Sequence, residues 1–221
     1  MIKKINLVQK KHKSVKRNYL NRMLSNKVKC MDVSKKYDKH YWDGNRKYGY
    51  GGYKYITGYL EPLAKKIIRN FNLKKKSKIL DLGCGKGFLI YEIKKLIPEI
   101  KVVGLDISKY AIKNAKKEIE KNIFFHDLRK KLTFKKNEFD LAFSLATFHN
   151  LDLVSLETAL KEISRVSKKQ YIMVESYRNS KELFNMQCWS LTCDTFLKPL
   201  EWIWLFKKFN YKGSYEFIFF K

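Results

Sequence analysis

The stretch Lys78-Ile-Leu-Asp-Leu-Gly-Cys-Gly-Lys-Gly-Phe88 constrains this chain more than any other. Ile79, Leu80 and Leu82 form a short apolar run of the kind that makes a buried strand. Gly83, Gly85 and Gly87 follow at alternate positions, where the backbone can turn sharply and approach a ligand that side chains would hold away. A helical pattern then runs from about Lys86 to Ile97 and is stopped by Pro98. Strand, glycine loop and helix in that order make a ligand cradle, and Asp81 places a carboxylate at its mouth.

The pattern repeats along the chain. An amphipathic helix carrying Leu60, Leu63, Ala64, Ile67, Ile68 and Phe71 precedes the first strand. After it come strands at 101–106, 122–126, 139–144 and 170–175, with helices expected at 108–119 and 153–167. The helix after Ser108 is expected to bury Ala111, Ile112, Ala115 and Ile119. Helical patches near 180–190 and 199–209 lead to a final aromatic strand, 214–220. Alternation of this kind predicts an α/β fold with a doubly wound, mostly parallel sheet and helices on both faces.

Three regions are expected: a basic N-terminal arm at 1–36, an aromatic and glycine-rich lid at 37–58, and the main domain at 59–221. The arm holds 12 Lys and Arg against one acid, Asp32, without apolar periodicity, so it reads as mobile or loosely helical. In the lid, aromatic residues crowd among glycines with no regular period; Tyr48, Tyr50 and Tyr53, with Gly51 and Gly52, are placed to fold over a pocket.

The net charge is +27, from 41 Lys and 7 Arg against 21 acids. Such an excess suits a polyanion partner. It is nearly all lysine, however, whereas sequence-specific nucleic-acid readers rely on the bidentate reach of arginine. No apolar run approaches the roughly 20 residues of a membrane span, and no secretory leader is evident, so a cytoplasmic protein without a membrane partner is the default. Cys30, Cys84, Cys188 and Cys193 match no zinc spacing, and no metal is expected.

In a doubly wound sheet, ligands bind outside the carboxyl ends of the strands. Asp106 stands at the end of the second strand, about twenty residues after the loop, where an acid accepts hydrogen bonds from ribose hydroxyls. A dinucleotide is disfavoured. Counted from Gly83, the third glycine falls one residue short of G-x-G-x-x-G, and Asp81 would repel a pyrophosphate but attract an ammonium group. The residues favour a nucleoside that carries an amino acid.

Ile79-Leu-Asp-Leu-Gly-Cys-Gly-Lys-Gly87, Gly104-Leu-Asp-Ile-Ser108 and His126-Asp-Leu128 together resemble class I S-adenosylmethionine-dependent methyltransferases of the type 11-like, small-molecule kind. The resemblance covers about residues 60–175. It implies a Rossmann-like sheet of seven strands with an antiparallel last strand, although only one convincing strand follows the 199–209 helix. It also implies that Asp81, Gly83, Cys84, Gly85 and Gly87 hold the methionine portion of S-adenosylmethionine and leave S-adenosylhomocysteine as product. Asp106 would take the ribose, Ile107 would pack on adenine, and Asp127 with Leu128 would bind the adenine edge. Ser144 and Tyr50 complete the expected cofactor shell.

For the transfer itself, His149 is a candidate base after the fourth strand, and a structural histidine is the equal alternative. Glu175 and Tyr177, with Arg178, leave the fifth strand at the same rim. The Asn/Asp-Pro-Pro-Tyr/Phe motif of planar-nitrogen methylation and the Pro-Cys pair of cytosine-carbon methylation are both absent, since Ser144-Leu-Ala-Thr147 stands there. The lid sequence and Val174-Glu-Ser-Tyr-Arg178 resemble a subgroup of small-molecule enzymes that includes surface-sugar biosynthesis. The expected acceptor is an N or O atom of a small molecule. An RNA methyltransferase guided by the basic arm and a non-catalytic cofactor-binding domain remain the alternatives.

Overall fold

The computed structural model of the chain describes residues 2–8, 12, 15–51 and 53–221; the lid glycine Gly52 lies outside them. The central strand β2 (Lys78–Leu82) is buried over Ile79–Leu82, as a strand covered on both faces must be. It pairs in parallel with β3 (Lys101–Asp106) on one side and β5 (Phe139–Leu145) on the other. Beyond β3 lies β4 (Ile123–Phe125), and beyond β5 lie β6 (Ser167–Glu175) and β7 (Ser214–Ile218). A two-residue strand, β1 (Lys3–Lys4), adds to β7, giving the order β1-β7-β6-β5-β2-β3-β4. Strand order reverses between β2 and β5, which opens a crevice at their carboxyl ends.

All seven strands are parallel, so the antiparallel last strand is corrected. Two helices, α8 (Ser180–Trp189) and α9 (Pro199–Lys208), connect β6 to β7. That is the long crossover a parallel neighbour requires. The outer edge comes from the N-terminus instead of a second C-terminal strand.

In its described parts, the N-terminal region is folded onto the domain, not free of it. Glu216, buried in β7, accepts the Leu7 N–H at 2.8 Å, the Val8 N–H at 3.0 Å and the Tyr171 hydroxyl at 2.6 Å. Two short helices follow, α1 (Tyr19–Leu24) and α2 (Lys27–Ser34); α1 packs against α8, and Arg22, Cys30 and Ser34 are buried. The lid opens with α3 (Lys39–Asp43), capped by the Asp38 carboxylate.

Helices cover both faces of the sheet. On one, α4 (Glu61–Phe71) buries Ala64, Ile67 and Phe71 beside α5 (Phe88–Leu96). On the other, α7 (Leu153–Val166) buries Leu156, Ala159, Leu160, Ile163 and Val166 alongside Trp202 and Phe206 of α9. The helix after Ser108 is shorter than its apolar stripe predicts: α6 (Lys109–Lys113) ends at Asn114, a poor helix former, and Ile119 reaches the core from the following loop. Among the described residues, no helix is long and apolar enough to cross a membrane.

Candidate functional site

The glycine loop is held by its own backbone. Gly83 N and Cys84 N both donate to the Leu105 carbonyl, at 2.8 and 3.1 Å, so the end of β2 turns over the end of β3. Gly83 has φ +85° and a Cβ there would lie 2.1 Å from Thr147 Oγ1, beyond β5. Gly85 has φ +57° and a Cβ there would lie 2.6 Å from the Trp42 ring. Only glycine permits both the turn and these approaches.

Two carboxylates stand under the loop. Asp106 accepts from Gly85 N at 2.7 Å and from Ser108 N at 2.8 Å. Burial raises its pKa, and these backbone donors pull it back down. Asp81 has no such relief: burial first, then the neighbouring Asp106, push its pKa well above the usual carboxylate range. Its carboxylate accepts no hydrogen bond from the described residues. A buried acid without a donor is costly unless a cation reaches it. Asp106 lines the crevice with lone pairs free for hydroxyls, and the uncompensated carboxyl of Asp81 behind it favours a cationic group at this end of the loop, although Asp81 itself does not reach the cavity wall.

The crevice opens into a cavity of about 890 Å³, lined by Gly83, Asp106, Ile107, Asp127 and Leu128 on one side and His149 and Glu175 on the other. Asp127 already holds Arg129 through contacts of 2.8–3.0 Å, and that guanidinium keeps its pKa low. Asp81, Cys84, Gly85, Gly87 and Ser144 do not line the cavity. Trp42 covers Gly85; the Cys84 thiol lies against Gly104; Gly87 precedes α5 against Ile119 and Ile123. Ser144 Oγ donates to the Leu82 carbonyl at 2.8 Å, tying β5 to β2 inside the sheet.

The lid is an aromatic roof. Tyr37, Tyr41, Trp42, Tyr50 and Tyr53 line the cavity, whereas Tyr48 does not. Trp42 Nε1 donates to Ser108 Oγ at 2.8 Å, which in turn donates to the Tyr37 carbonyl at 2.5 Å. Lys86 and Tyr110 both hold Asp43 at 2.8 Å, fixing the end of α3 over the glycine loop. The Tyr50 hydroxyl accepts from Leu191 N at 2.6 Å and Thr192 N at 3.2 Å, so its polar end joins the lid to the segment after α8. Sequence reasoning does not single out Tyr37, Tyr41 and Trp42. They fall within the 37–58 segment expected to form an aromatic lid, in which only Tyr48, Tyr50 and Tyr53 are named as folding over the pocket.

At the opposite wall, His149 Nδ1 accepts the Glu175 backbone N–H at 3.2 Å. Its Nε2 lies 3.6 Å from Glu175 Oε2. Burial lowers the histidine pKa against the upward pull of Glu175. The imidazole is therefore neutral, with its proton on Nε2 by elimination. Glu175 is fixed by Trp202 Nε1, which donates to its carbonyl at 3.2 Å, and its Oε2 accepts from Ser190 Oγ at 3.3 Å. Tyr177 is corrected as a member of this wall: β6 ends at Glu175, Ser176 is tied to the Leu197 carbonyl, and Tyr177 packs against the cluster of Met186, Cys193 and Phe220.

A parallel sheet with a glycine turn at its switch point and acids at consecutive strand ends is an arrangement in which α/β domains bind nucleosides. Comparison with known proteins narrows this. A family model described as "Methyltransferase domain" matches residues 73–212. The chain is 32% identical over 127 residues to the sterol 24-C-methyltransferase of Aspergillus fumigatus, covering 51% of this chain and 33% of that one. It is 29% identical over 119 residues to an uncharacterized methyltransferase of Synechocystis, covering 53% and 55%. A chain of the solved complex between the Haloferax volcanii Trm112 methyltransferase activator and a methyltransferase shares the fold at TM-score 0.52 and 17% identity, covering 70% of this chain and 77% of that one. The chain belongs to the class I S-adenosylmethionine-dependent methyltransferase family. It spans about a third to a half of the length of these two curated relatives.

Proposed function

We propose that the protein transfers a methyl group from S-adenosylmethionine to an N or O atom of a small molecule. The observation that carries the small-molecule acceptor is the roof: Tyr37, Tyr41, Trp42 and Tyr53 cover the crevice and leave a chamber of about 890 Å³, the scale of small-molecule sites. The basic N-terminal segment, which would guide an RNA acceptor, is built into the sheet edge and against α8 in its described parts.

When bound, S-adenosylmethionine supplies a methyl group activated on a sulfonium. Asp81 is suited to hold the ammonium of its methionine portion. Asp106 retains lone pairs for ribose hydroxyls beyond those given to Gly85 and Ser108. Ile107 and Leu128 offer apolar surface for a base, and Asp127, next to Leu128, a carboxylate for its edge. The chain's contribution to the transfer is alignment and exclusion of water by the roof. Glu175 faces the cavity with Oε1 unclaimed by the described residues, and is placed to accept a hydrogen bond or proton from an incoming hydroxyl or amine. His149 orients Glu175.

The test is incubation of the purified chain with methyl-labelled S-adenosylmethionine and separated small-molecule, RNA and protein fractions of a cell extract. Label in the small-molecule fraction is expected, abolished by S-adenosylhomocysteine. Label in RNA or protein alone, or S-adenosylhomocysteine binding with no transfer to any fraction, overturns the reading.

A further inference from the structure

Only seven arginines occur beside 41 lysines, yet three of them meet at one ring. The guanidinium carbons of Arg22, Arg17 and Arg46 lie 4.9, 5.4 and 5.5 Å from the centroid of Trp189. Arg17 is also 5.2 Å from the Phe220 ring, and Arg22 5.5 Å from that of Tyr50. Arg129, Arg165 and Arg178 each pair with an acid. Arg17, Arg22 and Arg46 pair with none among the described residues.

Their contacts are to neutral acceptors. Arg22 donates to the carbonyls of Arg46 at 3.0 Å and Gly49 at 2.8 Å, and Arg46 donates to that of Gly49. Arg17 donates to the Val15 carbonyl at 3.1 Å and to His12 Nδ1 at 3.2 Å. The Nε groups of Arg17 and Arg22 are buried without a hydrogen-bond partner. Lys27 adds a fourth cation, donating to the Cys188 carbonyl at 2.8 Å and to that of Ser190. The field of Glu175 reaches Arg17, while Arg17 acts on Arg46 and Arg22 on Lys27. The cluster carries positive charge in excess of its surroundings, in a partly desolvated place where that charge acts strongly.

Arg17, Arg46 and Trp189 line the same chamber as Asp106 and Glu175, with Arg22 behind them. The position of Arg17, beside Phe220, separates it from the donor. Phe220 follows β7, and the order β7-β6-β5-β2 puts β7 three strand spacings from the glycine loop, about 14 Å at ~4.8 Å per strand. Glu175, at the end of β6, lies between. The carboxylate of a methionine held at the loop would not span that interval.

We infer that the methyl acceptor carries an oxyanion, phosphate or carboxylate, which Arg17 and Arg46 bind beside Trp189 while its nucleophilic atom sits at Glu175. This rests on the methyltransferase reading above. Arg46 gives one N–H group to Gly49 and keeps a guanidinium edge for an oxyanion, a planar geometry lysine lacks. Arg17, whose Nη1 is taken by the His12 and Val15 carbonyls and whose Nε is buried, adds its charge and the remaining Nη2 N–H.

The test is calorimetric titration of the full chain, saturated with S-adenosylhomocysteine at moderate salt, with inorganic phosphate and separately with acetate. Saturable binding of one anion is expected, and the tighter of the two identifies the group. Arg17→Gln and Arg46→Gln should each weaken it at least tenfold, and leave S-adenosylhomocysteine affinity within about threefold. Arg17→Lys should recover only part of the loss. Absence of saturable anion binding by the wild type overturns the inference. So does an equal loss in Lys121→Gln or Lys136→Gln, both exposed lysines, because binding is then diffuse. A tenfold fall in S-adenosylhomocysteine affinity in Arg17→Gln would assign the arginines to the donor instead and overturn it as well. If the wild type does not bind S-adenosylhomocysteine, the methyltransferase reading itself fails.

Discussion

His149 grips Glu175 from two directions: Nδ1 accepts its backbone N–H at 3.2 Å, and Nε2 stands 3.6 Å from its Oε2. With Nδ1 filled, the neutral ring has no free lone pair to receive a proton. On the proposed reading the histidine positions the carboxylate beside it. His149→Ala should leave the partly buried Glu175 N–H unsatisfied and cost about 1–3 kcal/mol in urea denaturation. Methyl transfer should fall while S-adenosylhomocysteine affinity changes less than about threefold. The discriminating measurement is the pH–rate profile. If the variant loses the acidic limb of the wild type, His149 is itself the proton acceptor.

The two internally bonded histidines give the stability curve a definite sign. His12 bonds the Phe219 carbonyl at 3.2 Å and faces Arg17; burial, then Arg17, lower its pKa from 6.5 to about 4. Burial lowers that of His149 too. Above about pH 6.5 neither state binds the extra proton, and this contribution to stability is fully present. Below it the unfolded chain takes up protons that the fold refuses, so stability declines, levelling for His12 near pH 4. Asp81, whose pKa is raised, acts in the opposite sense. A His12→Gln comparison isolates one contribution. Between pH 7 and pH 5 the variant should lose less stability than the wild type, read from urea midpoints, and equal losses would contradict the assignment.

How far these features are legible in the sequence depends on where their partners lie in the chain. β2, its glycine loop and Asp106 are legible because each is specified within a few residues: an apolar run, positive-φ turns, and an acid at a strand end. The N-terminal edge is not, because its anchor is 208–209 residues away, where Glu216 takes the N–H groups of Leu7 and Val8. A lone carboxylate inside Ser214-Tyr-Glu-Phe-Ile-Phe-Phe220 is the only trace of it. Trp42 escapes a sequence reading for the same reason, since its partner Ser108 is 66 positions on. The direction of β7 carries no local signature at all; it follows from the length of the α8–α9 crossover.

Trp42 over Gly85 makes the loop sensitive to a single methyl group. At Gly85 a side chain would have to adopt φ +57° and would meet the indole at 2.6 Å. Gly58 has a similar φ of +74°, but a Cβ there would have no atom within 4 Å, so Gly58→Ala reports backbone strain alone. Strain of this kind costs about 1–3 kcal/mol. Gly85→Ala should lose more than Gly58→Ala, because Trp42 must also leave Ser108. Its tryptophan emission should shift to the red, and S-adenosylhomocysteine affinity should fall at least tenfold. Equal effects of the two substitutions would mean that Trp42 moves without cost and does not seal the site.

Asp81 and Asp106 should separate stability from binding in opposite ways. The Asp81 carboxyl is buried, takes no hydrogen bond from the described residues and is crowded by Asp106, so its charge disfavours the free fold. Asp81→Asn should therefore leave the melting temperature of the free chain equal to or above that of the wild type. Its affinity for S-adenosylhomocysteine should nonetheless drop, because the ammonium loses its counter-charge. A charged hydrogen bond contributes about 1.5–3 kcal/mol, which corresponds to a fall of roughly 10- to 100-fold. Asp106→Asn should lose affinity similarly, but at a cost in stability, since an amide cannot accept from both Gly85 N and Ser108 N with both of its ends. Calorimetric binding and thermal melts of the two variants decide the matter. An Asp81→Asn chain that melts lower and still binds S-adenosylhomocysteine at wild-type strength would show that Asp81 supports the fold and not the ligand.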